Sequence, residues 1–262
     1  MNVLAVEGVG IQFGGVKAVE DVSFAVKSGE IFAIIGPNGA GKTTLFNLVS
    51  GIYVPSRGRI TLGSHDVTNW PPHRLARHGL SRTFQNLQIF FRMTAAENVM
   101  VGYHLHEDRN ILVHLLALPS VFRQNRATRK KADDLLARVG LAALADRPAG
   151  ALPYGALKRL EIARALAVEP KVLLLDEPAA GCNAVETAEI DAVIQKIADG
   201  GVTVVLVEHD MRLVMKISHR IHVLNHGRTL AEGSADEVRQ DPAVIAAYLG
   251  SHGRREDSPA RH

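Results

Sequence analysis

Cysteine is almost missing from this sequence. Its 262 residues include one, Cys182, so no disulfide can form within the chain. That fits a reducing compartment, and a chain of this length can bury a core that needs no covalent staple. Charge of one sign is scarce too: 30 basic against 27 acidic residues leave a net charge of +3. So small an excess leaves no electrostatic footprint for nucleic acid, although weak attraction to anionic lipid headgroups is allowed. Long apolar runs are lacking. The best candidate for a membrane span, Ile111 to Phe122, is too short for a bilayer and is interrupted by His114 and Pro119. The first ten residues carry no cationic leader and read as a strand. No internal repeat, low-complexity tract or sustained heptad is present. The expectation is a soluble chain that serves a membrane only through a partner.

What the sequence does have is a glycine-rich stretch between an apolar run, Ile31 to Ile35, and a segment without Gly or Pro, Lys42 to Ser50. The stretch is Gly36-Pro37-Asn38-Gly39-Ala40-Gly41-Lys42-Thr43-Thr44, which meets the pattern G-x-x-x-x-G-K-[ST]. Strand, loop and helix in this order capture anions. Glycines let backbone N–H groups turn inward around a phosphate, and the helix N-terminus adds partial positive charge. Lys42 reaches the outer phosphates and the Thr43 hydroxyl is offered to magnesium. The plain alternative is a glycine-rich turn before a helix. The spacing favours a nucleoside triphosphate.

The rest of the chain alternates strands and helices, an α/β pattern. Val3 to Val9 and Val22 to Val26 alternate like strands, with a turn at Phe13-Gly14-Gly15. Arg59 to Leu62 and Leu80 to Phe84 are expected as strands, the second ending at Gln85, with a short helix from Pro71-Pro72 to Gly79 between them. From about 87 to 168 strand signals stop. Thr94-x-x-Glu97 is a capping box, and Ala127 to Gly140 is amphipathic with Leu135, Leu136 and Val139 on its buried side. A helix is expected over Gly155 to Ala167. Buried strands follow at Val172 to Leu175 and Val202 to Val207, with helices at Ala184 to Ala198 and Asp210 to Ile217. Ser234-x-x-Glu237 is a second capping box, and Asp241-Pro242 opens a last helix. The expected division is 1–86 for the first part of the core, 87–168 for a helical insertion, 169–250 for the rest of the core, and a disordered polar tail over 251–262.

Several strand ends carry chemistry. Asp176 and Glu177 close an apolar strand, where Asp176 suits magnesium and Glu177 suits a water in line with a γ-phosphate, as general base. Gln85 reads as a magnesium or water ligand, or as a plain polar residue. His209 reads as a hydrogen-bond donor to the γ-phosphate, or as a surface histidine. His219, His222 and His226 lack zinc spacing with any cysteine or carboxylate, and His104 and His106 read as surface residues. The basic run Arg123, Arg126, Arg129, Lys130 and Lys131 reads as a solvated helix face.

The order of these parts resembles the ATP-binding subunit of ABC transporters over nearly the whole chain. It runs from Lys42 to Gln85 before a helical insertion, then Leu152-Pro153-Tyr154-Gly155 before the helix of Arg159 to Leu166, then Asp176-Glu177, then His209. Within that family it is most similar to the branched-chain amino acid importers, through Phe13-Gly14-Gly15, Arg82 to Asn86, Glu97 to Gly102, Tyr154-Gly155 and Ala247 to Gly250. The resemblance implies a P-loop NTPase (RecA-like) core with an N-terminal antiparallel β subdomain and a helical insertion. It implies ATP and magnesium, with Thr43, Gln85 and Asp176 at the metal and Lys42, Gln85, Glu177 and His209 at the reaction. Phe13 would stack on adenine; a core or turn phenylalanine is the alternative. It also implies a dimer with two ATP molecules sandwiched, each on one subunit's phosphate loop and under the other's signature segment, here Tyr154 and Gly155. Two membrane permeases, an indirect substrate-binding protein and a place on the cytoplasmic face of the membrane complete the expectation.

Two departures from the family pattern stand out. Pro153 and Ala156 replace the serine and glutamine of Leu-Ser-Gly-Gly-Gln, so a hydroxyl and an N–H are gone. Cys182-Asn183 replaces Leu-Asp after Glu177, with Cys182 expected to pack as an apolar residue. We therefore expect a different ATPase subunit as partner and two unequal sites. The rival classes are a soluble ABC-type ATPase acting on nucleic acid or the ribosome, and an ATP-dependent regulator. One cassette without a coiled coil argues against the first, and Glu177 with His209 against the second.

Overall fold

A computed structural model of the chain describes residues 1–106 and 119–252. The apolar stretch 111–122 lies largely outside these residues, and so does most of the tail. Two sheets organise the described residues. The first is antiparallel, in the order β2 (Val16–Lys27), β1 (Asn2–Phe13), β4 (Arg57–Leu62), β5 (His65–Asp66). Gly14 and Gly15 both have positive φ, at 51° and 87°. A two-residue hairpin loop needs that backbone to match the strand twist, and the pairing of Phe13 with Val16 follows.

The second sheet has the order β10 (Arg228–Gly233), β9 (Arg220–Asn225), β3 (Ile31–Ile35), β8 (Thr203–Val207), β7 (Val172–Asp176), β6 (Leu80–Arg82). β9, β3, β8, β7 and β6 run parallel, and β10 closes one edge as an antiparallel hairpin. Every residue of β3, β7 and β8 is buried, which is why these strands are continuous apolar runs. Alternate residues of β3 serve different cores. Ile31, Ala33 and Ile35 join the helical side, while Phe32 and Ile34 join the side of β1, β2 and α1 (Lys42–Val49).

The helical side includes α3 (Ala95–Gly102), α4 (Pro119–Arg138) and α5 (Tyr154–Leu166), after the short α2 (Pro72–Arg77). Leu135, Leu136 and Val139 are buried there, facing Val99 and Leu160 in one cluster. α6 (Ala184–Asp199), α7 (Met211–Ile217), α8 (Ala235–Gln240) and α9 (Pro242–His252) complete the chain. Several bounds differ from the sequence expectation. α4 starts at Pro119 rather than Ala127, since proline is favoured in a helix's first turn. β1 and β2 are longer than the alternating stretches, because bulged pairing carries them past Gly8 and Asp21. β6 ends at Arg82 rather than Phe84. The N–H of Thr83 still donates to Leu174 O at 2.9 Å, but its hydroxyl accepts from Asp176 N at 3.2 Å and the chain then leaves the sheet.

β3, β8, β7 and β6 are neighbours in that order and parallel. Their C-terminal ends therefore form one edge, where ligands of open α/β sheets bind. On that edge lie the phosphate loop, Glu208-His209, Asp176-Glu177 and Thr83 to Gln85.

Candidate nucleotide site

The loop from 36 to 41 is shaped by its neighbours. Gly36 has φ 153°, and a Cβ there would lie 2.2 Å from Leu224 O. Gly41 has φ 99°, and a Cβ there would lie 2.5 Å from Ala18 O. Any side chain would collide with fixed backbone, so both positions need glycine. The β9–β10 turn braces the loop through Gly227 N, which donates to Ala40 O at 2.9 Å. Pro37 is half-buried and Ala40 buried, while Asn38, Gly39 and Thr43 are exposed. Gly41 sits at the N-cap of α1, with Lys42, Thr43 and Thr44 in its first turn.

Lys42 is buried, with Nζ donating to Gly36 O at 2.7 Å and to Pro37 O at 3.1 Å. Burial pushes its pKa below the usual lysine range, and the Glu177 carboxylate opposes that shift. The ammonium thus lies folded over the loop on carbonyls that a phosphate would replace.

Asp176 is buried, and its Oδ2 accepts from Arg82 Nη2 at 2.7 Å. Arg82 Nη1 also donates to Asn47 Oδ1 and Ser50 Oγ, both at 2.7 Å. One guanidinium therefore ties β6, β7 and α1 together. Half of the Asp176 carboxylate is committed to that tie, which the strand-end position alone does not reveal. Thr43 hydroxyl, Gln85 amide and Asp176 carboxylate are all hard oxygen donors. No group of three or more His, Cys, Asp or Glu able to hold a metal occurs among the described residues. A small donor set of this kind fits magnesium, which keeps waters and phosphate oxygens as its other ligands.

Glu177 follows with φ 48°, a left-handed conformation that costs a non-glycine residue about 1–3 kcal/mol. Its N–H donates to Val207 O at 2.9 Å, which holds the turn against β8. The turn aims the carboxylate at two neighbours. Gln85 Nε2 donates to its Oε2 at 3.2 Å, and His209 Nδ1 lies 3.8 Å from its Oε1. The imidazole is 61% exposed, open to a ligand from the solvent side. Lys42 from the start of α1, and Gln85, Glu177 and His209 from beyond the ends of β6, β7 and β8, thus meet around the Glu177 carboxylate.

Glu208 joins the site as a group that the sequence motifs do not include. It is buried, and it accepts from the N–H groups of Ala179 (3.1 Å), His209 (3.0 Å) and Asp210 (3.4 Å). Burial pushes its pKa up. It links the segment after Glu177 to the His209 turn. An acidic residue ending an apolar strand was the available signal. Cys182 is half-buried against the core and its thiol pKa is raised by burial, in keeping with a packing role. His222 is also buried, with Nδ1 2.8 Å from Glu232 Oε2 and Nε2 3.2 Å from Thr229 Oγ1.

Phe13 ends β1 with its ring half exposed, edge-on to Tyr53 at 5.4 Å. β2, which it is hairpinned to, passes the phosphate loop at Ala18. Tyr154 and Gly155 open α5 and stand against a different segment. The Tyr154 ring borders Gly181, and Gly155 N donates to Glu186 Oε1 at 3.0 Å. A role for them at a phosphate needs a second subunit.

A family model described as ABC transporter matches residues 19–180. A second, described as branched-chain amino acid ATP-binding cassette transporter, matches residues 228–254. The chain is 45% identical over 249 residues to the high-affinity branched-chain amino acid transport ATP-binding protein BraF of Pseudomonas aeruginosa, covering 95% of this chain and 98% of that one. Among solved structures, the ADP conformation of MJ1267, an ATP-binding cassette of an ABC transporter, superposes with TM-score 0.83 at 32% identity, over 95% of this chain and 99% of that one. The cassette MJ0796, a dimer in a post-hydrolysis state bound to ADP and Pi, superposes with TM-score 0.73 at 26% identity, over 88% and 98%.

Proposed function

The chain belongs to the ABC transporter family of ATP-binding cassettes, and from that premise we propose that it is the ATP-hydrolysing subunit of an importer for branched-chain or related amino acids. The observation that carries the reading is the gathering of Gln85 and His209 around the Glu177 carboxylate, beside Lys42. Near full-length similarity to BraF points to the substrate class.

The chemistry runs on these residues. Backbone N–H groups of the loop and the Lys42 ammonium bind the phosphates of ATP. Phe13 offers a ring face to adenine. Glu177 holds a water and takes its proton as the water oxygen attacks the γ-phosphorus and ADP leaves with the bridging oxygen. Gln85 holds the second oxygen of that carboxylate, and His209 donates toward the γ-phosphate. Thr43, Gln85 and Asp176 would hold magnesium, which supplies neutralisation of phosphate charge when bound.

The other half of each site would come from a partner cassette, a different chain, across Tyr154 and Gly155. Permease subunits have a suitable landing surface. Phe84, Phe90, Phe91 and Val101 are exposed, near a cavity of about 450 Å³ whose lining includes Gln88, Glu161 and Arg164. Clustered exposed aromatics of this kind mark interaction sites. No helix of the described residues is long and apolar enough to cross a membrane. The chain would sit peripherally on the cytoplasmic face, with two permeases between it and a substrate-binding protein. The test is co-expression with candidate permeases, a second cassette and a binding protein, followed by leucine uptake into vesicles. ATP-dependent uptake abolished by Glu177→Gln is expected. Recovery of the chain with ribosomes or DNA, without any permease, would overturn the reading.

A further inference from the structure

The glycine at 155 is required by this chain itself, before any partner is considered. A Cβ at that position would lie 2.6 Å from Cγ, 2.7 Å from Cδ and 2.8 Å from Cβ of Glu186. The last of these atoms is fixed to the α6 backbone, so a rotamer change cannot clear the space. The closeness serves a bridge. Glu186 Oε1 accepts from Gly155 N at 3.0 Å, and its Oε2 accepts from Asn183 N at 3.0 Å. Asn183 Oδ1 in turn accepts from the N–H groups of Val185 and Glu186, completing a capping box on α6. One carboxylate therefore caps two helices. α5 has no side-chain cap of its own, because Pro153 stands at its N-cap. A turn further along, Arg159 Nη2 meets Glu189 Oε2 at 3.1 Å between the same two helices.

We infer that Glu186 is a positioning residue that latches the signature segment, through Gly155, to the segment after Glu177. The two surfaces offered to a partner cassette then move as one body. Glu186 supplies from outside the helix the capping oxygen that Pro153 cannot, and it completes the cap that Asn183 begins. The inference rests on the ATPase dimer reading for its consequence, but the latch itself lies within one chain.

A double-mutant cycle tests it. Gly155→Ala, Glu186→Ala and the double variant are assembled with their partner subunits, and ATP hydrolysis is titrated against ATP. Each single substitution is expected to raise KM for ATP about fivefold, the scale of one hydrogen bond, with kcat changed less than about twofold. The double variant is expected to be no worse than the worse single one, because both substitutions break the same Gly155–Glu186 bond, while the Cβ that alanine keeps at 186 maintains the clash. Glu186→Gln keeps one acceptor oxygen and should fall between wild type and Glu186→Ala. In the full-length chain alone, Glu186→Ala should speed amide exchange at Gly155 about tenfold or more. A Glu186→Ala variant with wild-type KM, or a double variant whose defect is the sum of the two single ones, would overturn the latch. So would unchanged exchange at Gly155. If the wild-type assembly hydrolyses no ATP, the functional reading fails instead, and the exchange measurement still decides the latch.

Discussion

The proposed role of Glu177 as base rests on its position as much as on its acidity. Its left-handed backbone turns the carboxylate out of the β7 direction toward Gln85 and His209. Glu177→Gln keeps the shape and removes the base, so hydrolysis should fall by about 10²–10⁴ while ATP binding persists. Equilibrium nucleotide binding beside steady-state hydrolysis checks this. Lys42→Ala should instead lose binding, because the buried ammonium is the positive charge within the loop itself. Glu208 gives a pH prediction. Burial holds its pKa above the unfolded value. In that window the folded chain binds more protons than the unfolded one, so its contribution to stability is present at low pH and falls as pH rises through the folded pKa. Relative to Glu208→Gln, the wild-type chain should lose melting temperature as pH rises above the usual carboxylate range. A gain as pH rises would contradict the assignment of burial as the cause. Glu161 is raised by the same cause, so the Glu208→Gln comparison is needed to isolate one group.

At the scale of elements, helix starts carry much of the local information. Thr94 with Glu97 and Ser234 with Glu237 form capping boxes, as their spacing indicates. Asn183 with Glu186 forms a third, whose Asn-x-x-Glu spacing is the same kind of signal. Asn183→Ala removes two accepted N–H bonds and should cost about 1 kcal/mol, or about 2–4 °C in melting temperature. Asn183→Asp keeps a capping oxygen and should melt like wild type, which calorimetry on both variants distinguishes. Interior strands were legible for a simple reason. A strand covered on both faces has to be apolar throughout, as Ile31 to Ile35 and Val172 to Leu175 are. Strand ends were less legible. β6 stops at Arg82 because the Thr83 hydroxyl bonds a backbone N–H across the sheet, and no local pattern encodes that.

At the scale of the molecule, the two cores lie on opposite faces of the parallel sheet, and the chemistry lies at its edge. Phe90 and Phe91 are exposed, and Phe90 lines a cavity with Val101 of α3 and Arg164 of α5. Replacing Phe90 and Phe91 with Asp should reduce recovery of the chain with permease-containing membranes by about tenfold or more, since truncated interface anchors cost upward of about 2 kcal/mol. The isolated variant should melt as wild type does, both rings being about half exposed. The altered signature segment also predicts unequal sites in the dimer. Glu177→Gln should depress transport more than Gly155→Ala, and equal losses would argue against asymmetry.

The sequence by itself determined a strand–loop–helix at 36–44 with the pattern of triphosphate capture, because the backbone geometry of anion capture demands those glycines and that lysine at fixed spacing. It also determined the α/β alternation and the order of the acid, amide and imidazole that follow. Only the tertiary structure decided their partners. Arg82 takes half of the Asp176 carboxylate from across the sheet, Lys42 rests on the carbonyls of its own loop, and Glu186 reaches from α6 to Gly155. The Arg82 and Glu186 contacts join segments that sequence keeps apart, and the positions of two backbones in space set whether a side chain spans the gap.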